Sequence, residues 1–372
     1  MVAAWDWHVW VMHTLAALFV AATLLIWHRT RVLTKYWSYR NRAASKVPEL
    51  ATLSGQRVGV VINPTKEGAA GLVEQIKAAC AAAMLPAPKF YETTVADPGT
   101  AQARQALVEG ADVVIAAGGD GTVRAVATGM AHTGIPMAVL PIGTGNLLAR
   151  NLGLPIGAID KLLAIAISGK LRLIDVGWAQ VTEANAVEPS GYVPSAWHPQ
   201  LFTVIIGVGF DAAMIAGTDD ALKKRLGWLA YFWGASKSLH VPRLNAEVYL
   251  DERDPVAIEA RTVMVGNCGR IPGGLTLLGD AEIDDGILDV AAVDTAGGLA
   301  GWAGLLSEVI LQGAGLRNGP HPKIGRIDVV KAEHARVVLD SPQPAQIDGD
   351  PIGMAHTIDV WADKGALLVR TA

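Results

Sequence analysis

Between residues 58 and 170 the chain alternates short strand-like runs, at 58–62, 89–93, 113–117 and 137–140, with segments of helical periodicity at 67–84, 100–109, 122–132 and 156–168. Continuous apolar strands bury both faces, and strands separated by helices pair in parallel through right-handed crossovers. The pattern predicts an α/β domain over 55–170 with a parallel sheet, whose ligands gather beyond the carboxyl ends of the strands. From residue 171 the pattern turns β-rich, with strands expected at 173–181, 202–208, 244–250, 258–265, 287–293, 327–331, 336–339, 357–361 and 367–369 and one helix at 299–312. That predicts an all-β sandwich over 171–372.

Residues 9–27 lack Asp, Glu, Lys and Arg. As a helix rising 1.5 Å per residue they would cover roughly 28 Å, close to the hydrocarbon core of a bilayer. Trp5, Trp7 and Trp10 stand at one end of the run and Trp27, Tyr36, Trp37 and Tyr39 at the other, as aromatic belts do. Arg29, Arg31, Lys35, Arg40, Arg42 and Lys46 follow without an acid among them. The positive-inside rule then makes 1–50 a single transmembrane anchor with a basic juxtamembrane segment and puts the following domains on the cytoplasmic side of the cell membrane. A cleaved signal peptide fits less well, for want of a basic n-region and a small-x-small site.

Two βα turns carry the candidate chemistry. The strand at 113–117 stops in Gly118-Gly119-Asp120-Gly121-Thr122, and the strand at 137–140 runs into Pro141-Ile142-Gly143-Thr144-Gly145-Asn146. Glycines bring bare N–H groups up to a polyphosphate, a helix N-terminus adds its positive end, and Asp120 offers a carboxylate to Mg²⁺. Neither turn has Walker spacing or a well-placed dinucleotide fingerprint.

These residues resemble the diacylglycerol kinase catalytic-domain family, which includes sphingosine and ceramide kinases and is distantly similar to NAD kinases. Gly118 to Thr122 matches its GGDGT motif and Pro141 to Asn146 its P-x-GT-x-N motif; Asn63-Pro64, Asp175-Val176-Gly177, Gly207 to Asp211 and Ile347 to Asp350 match further landmarks in order. Bacterial relatives often continue the second motif with Asp, where this chain has Leu147, and commonly carry Glu where it has Asp350. The likeness implies an N-terminal α/β nucleotide-binding domain and a C-terminal lipid-binding β-sandwich. It also implies ATP held by Asn63, Thr93, Thr94, Gly118, Gly119, Asp120, Gly121, Thr122, Gly143, Thr144 and Asn146.

By the same resemblance Mg²⁺ lies near Asp120 and Asp175, and a structural Mg²⁺ is held by Asp285 with backbone oxygens near Glu282 and Ile287. Asp348 is the implied general base, with Asp350 orienting it or sharing the role. Read without the family, Thr93 and Thr94 would cap the next helix, 282–289 would be a solvated hairpin turn, and Asp348-Gly349-Asp350 a plain turn.

Composition narrows the class. Of 372 residues, 51% are hydrophobic and 18% charged, which suits well-buried cores. Cys80 and Cys268 are too few for a disulfide framework and lack metal-ligand company, so they read as buried small hydrophobes. Residues 1–48 carry +5 and the remainder −9, and an acidic body without a basic stripe excludes nucleic acid as a partner. The stretch 182–199 reads as a surface loop. Residues 219–241, with Lys223-Lys224-Arg225 before Trp228, Tyr231, Phe232 and Trp233, read as an amphipathic helix that either packs on the sandwich or forms a lid at the membrane.

The expectation is an ATP-dependent kinase of a lipid alcohol in the bilayer, diacylglycerol first. Sphingoid base or ceramide, then NAD, then a non-enzymatic nucleotide or lipid binder are the alternatives. A homo-oligomer is compatible with the sequence.

Overall fold

The computed structural model describes residues 55–66, 68–182, 199–209, 243–270, 278, 281–295 and 325–372. The span expected at 9–27, the interior of the 182–199 loop, the motif residues Phe210 and Asp211, the 219–241 segment and the 299–312 helix lie outside them. Among the described residues no helix is long and apolar enough to cross a membrane.

Four parallel strands, β1 (Val58–Ile62), β2 (Lys89–Glu92), β3 (Val113–Gly118) and β4 (Met137–Pro141), stand in the order β2-β1-β3-β4. β1 and β3 are buried at every residue, as strands covered by helices on both faces must be. The helices are α1 (Ala69–Ala82), α2 (Thr100–Val108), α3 (Asp120–Met130), the short α4 (Leu147–Asn151) and α5 (Ile159–Ser168). α1 shows why they form: Ala69, Leu72, Ile76 and Cys80 recur at helical spacing and are the residues it buries. The chain runs from β1 outward to β2 and then back across β1 to β3. The strand order therefore reverses between β1 and β3, where a crevice opens at their carboxyl ends.

The rest is β5 (Lys170–Thr182), β6 (Gln200–Phe202), β7 (Ile205–Gly209), β8 (Leu244–Leu250), β9 (Val256–Ala260), β10 (Thr262–Gly266), β11 (Leu288–Thr295), β12 (Gly325–Ala332), β13 (His334–Ile347) and β14 (Asp350–Thr371). β8 alternates buried and more exposed residues, the mark of a strand with one face on a core. The β-rich C-terminal part is as expected, but its border with the α/β part is not a single point in the sequence. β14 pairs antiparallel with β13 and β5, and at Val369 it lies parallel to Met137 of β4. The end of the chain thus extends the α/β sheet, and Leu367 and Val369 bury in one core with Val113 and Leu140. The strands expected at 357–361 and 367–369 are one strand with a bulge between Asp363 and Leu367. Cys80 and Cys268 are free and buried.

Candidate active site at two interlocked glycine turns

The two glycine turns touch through their backbones. A β-carbon built on Gly143 would lie 2.7 Å from Gly119 Cα, so glycine is required for the approach. Ile142 N donates to Gly118 O, tying the turns at their base. Thr122 is buried with its side chain packed on the α-carbon of Gly118, so the last residue of the first motif closes the turn from beneath. Gly119 caps α3 without a side chain, and this end of the helix presents its first amides, those of Asp120, Gly121 and Thr122, at the mouth of the β1–β3 crevice.

The second turn is organised differently from the expected phosphate cradle. Asn146, at a left-handed φ of 50°, folds its side chain back on its own loop: Gly143 N donates to its Oδ1 at 3.1 Å and its Nδ2 donates to Gly143 O at 2.8 Å. The amides of Asn146 and Leu147 donate to the two carboxylate oxygens of Asp120 at 2.8 and 2.6 Å. Those three amides are spent inside the protein, so the second turn braces the first; Thr144 is exposed at its tip. Leu147, where an Asp was anticipated, buries its side chain in the core and contributes only its N–H.

Asn63 and Thr94 are also engaged locally. Asn63 Oδ1 accepts from Thr65 N and Oγ1, and Thr94 Oγ1 accepts from Asp97 N. The cap of α2 is Asp97, whose carboxylate takes the amides of Gly99, Thr100 and Ala101, so neither Thr93 nor Thr94 serves it. Thr93 is buried at the end of β2, its N–H on Ile62 O.

The two carboxylates from the C-terminal part, Asp348 and Asp350, have different surroundings. Asp348 and Gly349 form the two-residue loop between β13 and β14, both at positive φ, the geometry of a type I′ hairpin turn. The Asp348 carboxylate is buried and accepts four hydrogen bonds, from Thr203 N and Oγ1, Val204 N and Ile205 N, at 2.8 to 3.0 Å. It diverts the amides that would have continued the strand expected at 202–208, which is why β6 and β7 are separate. A carboxylate held by four donors at fixed positions anchors residues 203–205 to the hairpin.

Asp350 is half-exposed, and its Oδ2 lies 3.1 Å from where a β-carbon on Gly121 would be. The acid from the distant strand therefore reaches the amide end of α3, and it is Asp350. Two further residues, unmarked in the sequence analysis, complete the site. Lys66, exposed after the Asn63-Pro64 turn, places its Cε 4.0 Å from a β-carbon built on Gly119. Arg124 of α3 donates to Ile347 O at 2.6 Å and to Asp350 Oδ2 at 2.8 Å. The lysine could have been suspected from the Asn-Pro-Thr-Lys turn; nothing local marks the arginine.

Burial, and then the neighbouring Asp348 and Asp350, push the Asp120 carboxyl up to about 6 despite its backbone donors. Between 3.8 and about 6 the native state holds a proton that the unfolded chain has released. The resulting stabilisation is complete below 3.8 and lost as pH rises through about 6. It amounts to at most about 3 kcal/mol, less with solvent screening. Asp120→Asn should flatten the Tm profile between about pH 4 and 6 relative to wild type; equal slopes would remove Asp120 as its source. A cation bound here would offset the same repulsion. Among the described residues no three His, Cys, Asp or Glu side chains converge as a metal site, so a Mg²⁺ beside Asp120 would draw its remaining ligands from water and phosphate.

Comparison with known proteins identifies the family. Residues 57–179 match the diacylglycerol kinase catalytic domain and residues 204–364 a C-terminal domain described as NAD kinase beta sandwich-like. A probable lipid kinase of Pseudomonas aeruginosa is 30% identical over 63% of this chain and 72% of its own length. The chain belongs to the diacylglycerol kinase catalytic-domain family. A diacylglycerol kinase of Bacillus subtilis is 28% identical over 71% of this chain and 79% of its own. An uncharacterized Synechocystis protein is matched over 66% of this chain and about half, 52%, of its length. The fold is that of a crystal structure described as a putative diacylglycerol kinase from Bacillus anthracis, with TM-score 0.62, 21% identity, and coverage of 85% of this chain and 98% of that one.

In this diacylglycerol kinase family member the remaining metal candidates form a separate cluster. Asp175 is buried in β5; its oxygens accept from Gly286 N and Gly365 N, and among the described residues it shares no hydrogen-bond partner with Asp120. Burial, then Asp284 and Asp285, raise its carboxyl above the usual range. Its link to the site is indirect: Asn267 Nδ2 donates to both Asp175 O and Thr203 O. Asp285, expected to hold a structural Mg²⁺ with backbone oxygens near Glu282 and Ile287, has an ammonium partner. Lys331 Nζ lies 2.9 Å from Asp285 and 3.8 Å from the buried Asp289, which is paired across the strands with Lys331. Glu282 is exposed, and Ile287 N donates to Asp285 Oδ1 at 3.0 Å.

Burial works against the charge of Lys331, but the acids outweigh it and hold its ammonium above the ordinary value. A cation is thus built into the chain where a metal was expected, and the residues do not fit a Mg²⁺. Chelation should leave the wild-type Tm unchanged, whereas Lys331→Met should cost about 2 kcal/mol or more. A chelator-induced fall in Tm would restore the metal.

Proposed function

We propose that this chain transfers the γ-phosphoryl group of ATP to the hydroxyl of a membrane lipid alcohol, most simply diacylglycerol, giving phosphatidic acid. The observation that carries the reading is Asp350 at the uncapped amide end of α3, an acid beside an anion site. Family membership supports a lipid kinase; the acceptor is our assignment. The α3 amides and Lys66 bind the triphosphate, and the second turn, locked to Asp120, keeps the first in shape. Mg²⁺, when bound near Asp120, neutralises phosphate charge. Asp350 accepts the proton of the lipid hydroxyl as that oxygen bonds to the γ-phosphorus and ADP departs with the bridging oxygen. Asp350, set against the glycine turn, brings acceptor and donor together.

The N-terminal stretch fits this substrate. Its charge-free span and basic flank would hold the catalytic body against anionic lipid on the cytoplasmic face. The full-length protein should be given γ-labelled ATP with vesicles containing diacylglycerol, sphingosine or ceramide, and separately with NAD. Labelled phosphatidic acid is the expected product. Label on sphingosine or ceramide would reassign the acceptor, label on NAD would make the protein a dinucleotide kinase, and no label in any arm would refute the kinase reading.

A further inference from the structure

The tip of the β13–β14 hairpin is held from three sides. Asp348 is bound by residues 203–205, Gly349 N donates to Gln346 Oε1 at 2.8 Å, and Arg124 reaches over from α3. Only the last of these touches the Asp350 carboxylate. Arg124 lies one helical turn beyond Gly121 and is mostly buried, with 19% of its side chain exposed. Its two terminal nitrogens take the two residues that flank the turn, Nη1 on Ile347 O and Nη2 on Asp350 Oδ2, so one planar fork spans the hairpin. Asp350 Oδ1 has no hydrogen-bond partner among the described residues.

We infer that Arg124 is a positioning residue for phosphoryl transfer: it ties the hairpin to the phosphate-binding helix and holds Asp350 with one oxygen fixed and the other turned to the acceptor hydroxyl. This rests on the reading of Asp350 as the base. The alternative role, a contribution to folding, is a weak one, because an ion pair whose acid is half-exposed adds little to stability. Misplacing a reacting group by about 1 Å can cost about a hundredfold in rate. The chemistry of the fork also matters: a lysine at this position would keep the charge but could not bridge both acceptors.

The test is a double-mutant cycle on turnover. Arg124→Gln should lower kcat by about tenfold to a hundredfold with KM for ATP within about twofold of wild type and an unchanged Tm, and Arg124→Lys should recover part of the loss. In an Asp350→Asn background, adding Arg124→Gln should change the residual rate by less than about twofold, because the residue it positions is already gone. Wild-type kcat in folded Arg124→Gln, or the same fold-loss repeated on top of Asp350→Asn, would overturn the inference. Asp350→Asn alone tests the base assignment, so the two can fail separately.

Discussion

Asp350→Asn is expected to lower kcat by about a thousandfold while ATP still binds and the melting temperature holds, as removal of a general base does. Asp348→Asn is expected to do the reverse, unfolding the protein or lowering its stability by about 3 kcal/mol or more, with any activity loss following the loss of folded protein. The contrast follows from what each carboxylate touches. Asp348 meets only donors, and an amide there would turn its own N–H₂ against a backbone N–H while removing the charge that the other bonds lean on. Its backbone would not suffer, because Asn tolerates the left-handed φ of 48°. Asp350 is half-exposed and bonded on one oxygen only, so losing its charge costs the fold little and leaves the substrate proton without an acceptor. Wild-type kcat in Asp350→Asn would remove the base; a stable and inactive Asp348→Asn would return the role to Asp348. Measuring kcat, nucleotide affinity and Tm on both variants separates these outcomes.

The sequence revealed what depends on neighbours along the chain. The glycine turns announce themselves because strand, turn and helix are contiguous, and the alternation of β and α segments fixes the parallel order and the crevice beyond it. It could not reveal which of two acids in Asp348-Gly349-Asp350 is taken up by backbone donors, because that is decided by the broken strand at Thr203–Val204, some 145 residues away. The same holds for Lys331, whose pairing with Asp285 depends on two strands lying side by side, and for the end of β14, which crosses into the first sheet. Asn146 is a subtler case. Its motif suggested a ligand contact, yet a residue at positive φ with its side chain on Gly143 shapes the loop, and the motif spells out a brace as much as a cradle.

That brace gives the second large effect. Gly143→Ala would drive a methyl group to 2.7 Å from Gly119 Cα and 3.1 Å from Asn146 Oδ1. Backbone cannot swing aside as a long side chain can, so the turns must part, at a cost of about 1–3 kcal/mol for overpacking. Parting them pulls the Asn146 and Leu147 amides from Asp120, and the α3 amides lose the geometry that a triphosphate needs. ATP affinity should fall by about a hundredfold, beyond what the stability loss explains, since each pair of misaligned charge-assisted bonds is worth about 1.5–3 kcal/mol. Gly119→Ala is the informative control: its methyl would meet Gly143 Cα at 3.6 Å, an ordinary contact, so this variant should keep its Tm. Calorimetric titration of ATP·Mg and thermal melts on both variants decide the matter. Equal tolerance of alanine at 119 and 143 would mean that the turns do not interlock, and the first turn would then have to hold its shape without the second.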